Sequence, residues 1–145
     1  MLSDETIMDT LAALRPITYT KVPVEGRWLP SPLPELTIGE RVVAVLCEDP
    51  DVARLVVDRA DGTVLITTED EPPALVNRSL EKLVEAAGIY SRAKRRARRI
   101  DEDDDEALEA LAVATADQIG KIDPDAVRDE NQLWAVAAEE LGYGL

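Results

Sequence analysis

The chain has 145 residues, 30 acidic against 16 basic side chains, no histidine and a formal net charge of −14, a length that suits a single domain spanning residues 1–145 with a true core. That acidity argues against nucleic acid or an anionic membrane as partner, because binding to phosphate draws on counterion release by lysine and arginine. The missing imidazole removes the commonest metal ligand and the commonest side chain titrating near neutrality, so no metal or cofactor is expected, and a positively charged partner is expected ahead of a small substrate.

The N-terminus (MLSDE) lacks the basic and apolar regions of a signal peptide, and no apolar run approaches the ~20 residues of a membrane span. A soluble, cytoplasmic protein is the expectation. Residues 3–14 predict a short helix, capped by Ser3, with Ile7, Met8, Leu11 and Leu14 at helical spacing and Pro16 as its stop. Residues 17–24 (ITYTKVPV) alternate like a strand, which Pro23 demotes to an edge or an irregular segment. Residues 26–36, dense in proline, predict an ordered loop around a buried Trp28.

The middle predicts β structure. Residues 41–48 (RVVAVLCE) form the near-continuous apolar run of a central strand, and residues 53–58 and 63–68 flank an Asp61-Gly62 hairpin signal. Glu69, Asp70, Glu71, Pro72 and Pro73 are expected to end the sheet. From residue 77 the period becomes helical, with Leu80, Leu83, Val84, Ala87, Tyr90, Ala93, Ala97 and Ile100 on one stripe. A further helix spans roughly 104–122, with Leu108, Leu111, Ala112, Ile119 and Ile122 inward, and Asp123-Pro124 breaks it. Asp129 or Asn131 is expected to cap a last helix that faces Leu133, Trp134, Ala137 and Leu141 inward and ends at Gly142. The fold class expected is α+β: a small antiparallel β-sheet with an N-terminal helix and a C-terminal three-helix segment packed on it.

Few residues invite catalysis. Cys47, the lone cysteine, excludes an intrachain disulfide and lies in the most apolar strand without a histidine to activate it, so a buried core thiol is expected. Phosphate-binding and dinucleotide-binding glycine motifs are absent, as are serine-nucleophile patterns. The acidic run of residues 101–106 has no EF-hand spacing and reads as a solvated interhelical loop that also favours a helix N-terminus. The basic run of residues 92–99 (RAKRRARR) carries Ala93 and Ala97 on the apolar stripe. If its helix and the next form a hairpin, Arg95 and Arg99 are expected to be neutralised by Asp105, Glu106 and Glu109. Trp28 and Trp134 are expected to serve packing, and an enzyme using carboxylates alone would need several of them converging in one concave pocket.

Three stretches then line up with a known family. Leu36-Thr37-Ile38-Gly39 precedes the strands and hairpin, and residues 75–83 (LVNRSLEKL) open the helical half. Ile122-Asp123-Pro124, then residues 129–134 (DENQLW) and Glu139-Glu140-Leu141, form the tail. In that order they resemble the SUKH superfamily of bacterial immunity proteins, and the tail is similar to its fourth subgroup, over roughly residues 36–145. The resemblance implies an α+β fold and a non-enzymatic task, the stoichiometric blocking of a cognate polymorphic toxin, often a nuclease or deaminase. Non-immunity members of the superfamily also imply an alternative, an intracellular regulatory or scaffold module.

Cationic clefts in such toxins would favour an acidic partner through steering and charge complementarity, and docking beside the toxin's active site through an apolar patch is the equally open alternative. The candidate contacts are Asp49, Asp51, Glu69, Asp70, Glu71, Asp101, Glu102, Asp103, Asp104, Asp105 and Glu106, at sheet ends and in the interhelical loop, where side chains reach outward. The charge is unevenly placed. Residues 1–100 hold 16 acids and 14 bases, whereas residues 101–145 hold 14 acids and 2 bases.

Overall fold

The computed structural model describes residues 1–144. The chain runs α1 (Asp4–Leu11) and a 3₁₀ turn (Ala12–Leu14), then β1 (Arg27–Trp28), β2 (Glu35–Ile38), β3 (Arg41–Asp49), β4 (Ala53–Asp58), β5 (Val64–Thr67) and β6 (Ala74–Asn77). The helical half follows: α2 (Leu80–Ala97), α3 (Asp105–Ile122), a 3₁₀ turn (Pro124–Val127) and α4 (Leu133–Leu141). It is an α+β fold with a wholly antiparallel sheet in the order β1-β3-β4-β5-β6. β2 pairs with the Arg41–Ala44 end of β3 and β1 with its Cys47–Glu48 end, so the two share one edge.

β3 is the central strand its apolar run predicts. A register shift between Val45 and Cys47 places Ala44, Leu46 and Cys47 together in the core under the helices. Val43 and Val45 point the other way, into a smaller cluster with Val56 and Leu65 that Leu36, Ile38 and Leu75 partly cover. The Asp-Gly hairpin forms as expected: Asp58 and Thr63 are bonded across the turn, Asp61 Oδ1 accepts from Thr63 N, and Gly62 takes a φ of 79°. Arg41 clasps the turn through Asp58 at 2.7 Å.

Residues 17–24 take the irregular of the two forms that Pro23 allows, and the sheet gains three strands that were not expected. Residues 17–24 are not a strand: Lys21 and Val22 donate their amides to Thr18 O in a turn, and only Val22 is fully buried. Two strands, β1 and β2, form inside the proline-dense stretch read as loop, and β6 follows Pro72-Pro73, where the sheet was expected to end. Proline disfavours a central strand but not an edge one, where a missing N–H faces no partner. All three unexpected strands lie at edges. Trp28 is only half-buried, in β1, so it is not the enclosed anchor expected of it.

α2 is the organising helix. It packs on β6 and touches α1, α3 and α4, while α3 lies between α2 and α4. Its buried side chains are Leu80, Leu83, Ala86, Ala87, Tyr90 and Ala93. Trp134 is fully buried beside Tyr90, ring centroids 5.7 Å apart and tilted by 60°, a favoured aromatic geometry. The expected cap of α4 is replaced: neither Asp129 nor Asn131 holds that place, and the capping position is Gln132, whose Oε1 accepts from Asp129 N and whose Nε2 donates to Asp125 O. Gln132 thus ties the incoming loop together instead of covering α4's first amides.

The N-terminus is fastened by one buried arginine. Arg59 donates to Leu2 O at 2.9 Å and to Asp4 Oδ1 at 2.6 Å and pairs with Glu35 at 2.7 Å. Asp4 Oδ2 also accepts from Leu33 N and Ser31 Oγ. Helix α1, the hairpin turn and the proline-rich segment therefore meet at one guanidinium.

Candidate partner-binding site

The residues in the conspicuous sequence motifs serve the fold. Asn77 is fully buried at the end of β6, where its Nδ2 donates to Asp123 Oδ2 at 2.9 Å and its Oδ1 accepts from Trp134 Nε1 at 2.7 Å. The same Asp123 oxygen accepts from Arg78 N at 3.0 Å. Residues 46 and 57 positions apart are thus closed into one buried polar network. Ser79 caps α2 by accepting from Lys82 N, and Asp125 pairs with both Arg78 and Arg128. This network joins sheet, loop and last helix.

Cys47 is likewise a core residue. It is fully buried, and desolvation, with Asp49 nearby, pushes its thiol up to about 11; the thiolate needed for nucleophilic attack is therefore scarce near neutrality. Asp4 and Asp61 are held below the ordinary carboxylate value, chiefly by the backbone amides of Leu33 and Thr63, so both serve structure.

The candidate acids fall into two sets. Asp49 ends β3, Asp51 sits in the β3–β4 turn with a φ of 65°, and Glu69 follows β5; these three line a shallow recess of about 100 Å³ together with Arg54. Asp70 and Glu71 lie exposed in the same β5–β6 connection. In the second set, Asp101 Oδ1 accepts from Asp103 N, and Asp104 caps α3 by accepting from Ala107 N. Asp105 and Glu106 occupy the first turn of α3, where the helix dipole favours negative charge. Glu102 borders a recess beside Lys94 and Arg98. No described concavity is lined by members of both sets.

The ion pairs expected of Arg95 and Arg99 do not form among the described residues. No ion pair joins Arg95 or Arg99 to Asp105, Glu106 or Glu109 among the described residues, and Arg95 instead donates to Ser91 Oγ. The run occupies the last turn of α2, and the negative end of the helix dipole suffices to favour cations there. The acids beyond residue 100 stay equally unpaired: among the described residues, only Asp125 of them enters an ion pair. In the sheet half, by contrast, Asp4, Glu35, Glu48, Asp58 and Asp61 all face arginines.

Sequence reasoning missed Glu109, Asp117 and Glu139. They stand along a groove of about 860 Å³ between α3 and α4. The available signal was Val113, an apolar residue off the inward stripe of α3, which the structure leaves 57% exposed. Among the described residues no helix is long and apolar enough to cross a membrane, and no group of three or more Cys, Asp or Glu side chains is placed to hold a metal ion.

Comparison with known proteins gives one match. A family model described as SUKH-4 immunity protein matches residues 30–140. No curated protein and no solved structure matches. The matched span contains Asn77, Ser79, Asp123 and Trp134, whose side chains make the contacts that hold β6, α2 and α4 together.

Proposed function

The chain belongs to the SUKH-4 immunity protein family, and from that membership we propose that it neutralises a cognate toxin protein by stoichiometric binding, without catalysis. The toxin fitting this reading carries a cationic cleft, as a nuclease or deaminase would, and acts in the cytoplasm that the immunity protein shares. One observation carries the proposal beyond the family: the last third of the chain presents 14 acids against 2 bases, and of these acids only Asp125 is ion-paired among the described residues. Carboxylates left without an internal ion pair gain most from an external cation, both in encounter rate and in specificity. Of the two acidic sets, Asp101 to Glu106 belongs to this uncompensated end and is assigned the leading contact. Asp49, Asp51, Glu69, Asp70 and Glu71 are assigned a secondary one, because they lie within residues 1–100, where acids and bases nearly balance.

Co-expression with the toxin encoded beside the gene tests this reading. A 1:1 complex on size-exclusion chromatography, together with rescue of growth, is the expected result. Failure to rescue despite soluble expression of both proteins would remove the immunity assignment.

A further inference from the structure

The facing sides of α3 and α4 carry small apolar residues edged by acids, unlike the polar outer face of a typical surface helix. Along α3, Asp105, Glu109, Ala112 and Ala116 follow one another at spacings of four, three and four residues, with Val113 and Asp117 beside them. Along α4, Ala135, Ala138 and Gly142 follow at spacings of three and four residues, with Glu139 beside them. The two faces form the walls of a single groove of about 860 Å³.

Its floor is apolar and low. A Cβ on Gly142 would stand 3.4 Å from Ala112 Cβ and 3.8 Å from Glu109 Cα, so the helices approach closely and only small side chains pave the contact. Its rim is entirely acidic: Asp105, Glu109, Asp117 and Glu139 line it, and no lysine or arginine does. None of the four enters an ion pair among the described residues; Glu139 accepts from the Tyr143 hydroxyl at 2.8 Å. Exposed apolar surface beside uncompensated like charge gains nothing for an isolated fold and marks a contact surface.

We infer that this groove is the toxin-docking surface, and that its occupant is an amphipathic helix of the toxin with a small apolar face flanked by lysine or arginine. The inference rests on the immunity reading and names its site. From Asp105 to Asp117 the α3 wall measures about 18 Å at 1.5 Å per residue, which accommodates just over three turns of a partner helix. The alanine floor admits close backbone approach, the rim carboxylates meet the flanking cations, and Val113 and Tyr143, 57% and 67% exposed, are the apolar side chains that docking would cover. Helix-in-groove recognition of this kind reads anchors at helical spacing. Charge complementarity decides for a cationic partner segment over a second copy of the chain, whose matching surface would be equally acidic.

The test uses the full chain and its co-expressed toxin, with affinities and rates by surface plasmon resonance. Ala116→Trp fills the floor without changing charge. Glu109→Lys with Asp117→Lys reverses the rim, and Asp49→Lys with Glu69→Lys does the same at the sheet end. Circular dichroism and melting temperature establish that each variant folds. Ala116→Trp is expected to weaken binding about tenfold or more through faster dissociation, and the rim reversal by a similar factor mainly through slower association. The sheet-end reversal is expected to leave affinity within about threefold. Wild-type binding by folded groove variants, with loss in the sheet-end variant, would overturn the groove while leaving immunity intact. A free chain that elutes as a dimer, split by Ala116→Trp, would assign the groove to self-association instead. Absence of any wild-type complex would overturn both readings.

Discussion

At the scale of single residues, two polar groups decide how the chain closes on itself, Asn77 fully buried and Asp4 partly so. Asn77 is satisfied on both ends of its amide, by Asp123 and Trp134, and such a group costs most when one partner is removed. Asn77→Ala leaves the indole N–H and one Asp123 contact unpaired, each worth about 1–3 kcal/mol. A loss of unfolding free energy of that order, seen as a lower urea midpoint, is expected, with toxin binding retained below the new transition. Asp4 is the second. Leu33 N–H and the Arg59 guanidinium hold its carboxyl below its ordinary value of 3.8, so its contribution is full above that value and is lost as pH falls towards the lower folded-state value. Asp4→Asn removes a contribution that acid would remove anyway. The difference in urea midpoint between wild type and Asp4→Asn is therefore expected to be clear at about pH 7 and to shrink at about pH 3; an equal difference at both would refute the assignment.

At the scale of elements, local chemistry was legible wherever it was strong. The helices, the Asp-Gly hairpin and the central strand followed from capping residues, periodicity and turn chemistry. The three edge strands did not, because two-residue and four-residue strands flanked by proline leave almost no period to read. β1 depends on a backbone feature instead. Gly26 has a φ of 124°, and a Cβ there would lie 2.7 Å from Glu48 O, so the chain enters β1 only without a side chain. Gly26→Ala is expected to cost on the order of 1–3 kcal/mol and to speed hydrogen exchange at Trp28 and Leu29, with exchange in β4 unchanged. The two charge runs were legible in sequence but not their partners. Pairing between Arg95 or Arg99 and the α3 acids was a guess about how two helices rotate against each other, which neither helix determines alone.

At the scale of the whole molecule, a net charge of −14 resolves into residues 1–100, where 14 bases nearly offset 16 acids, and residues 101–145, where 2 bases stand against 14 acids. If that end steers the toxin, association is expected to slow roughly tenfold between about 50 and 500 mM salt, since screening shortens to a few ångströms over that range; stopped-flow mixing measures it. A salt-independent association rate would remove steering and leave immunity standing. The sequence by itself determined the α+β class, the helices, the central strand, the family resemblance and the excess of acid beyond residue 100, because each is written in local order or in composition. The tertiary structure alone decided that Asn77, Asp123 and Trp134 form one network, that Arg95 and Arg99 form no ion pair with Asp105, Glu106 or Glu109 among the described residues, and that acids from α3 and α4 ring a common apolar floor. Those facts depend on which faces of distant segments meet, and the packing of the complete chain sets that.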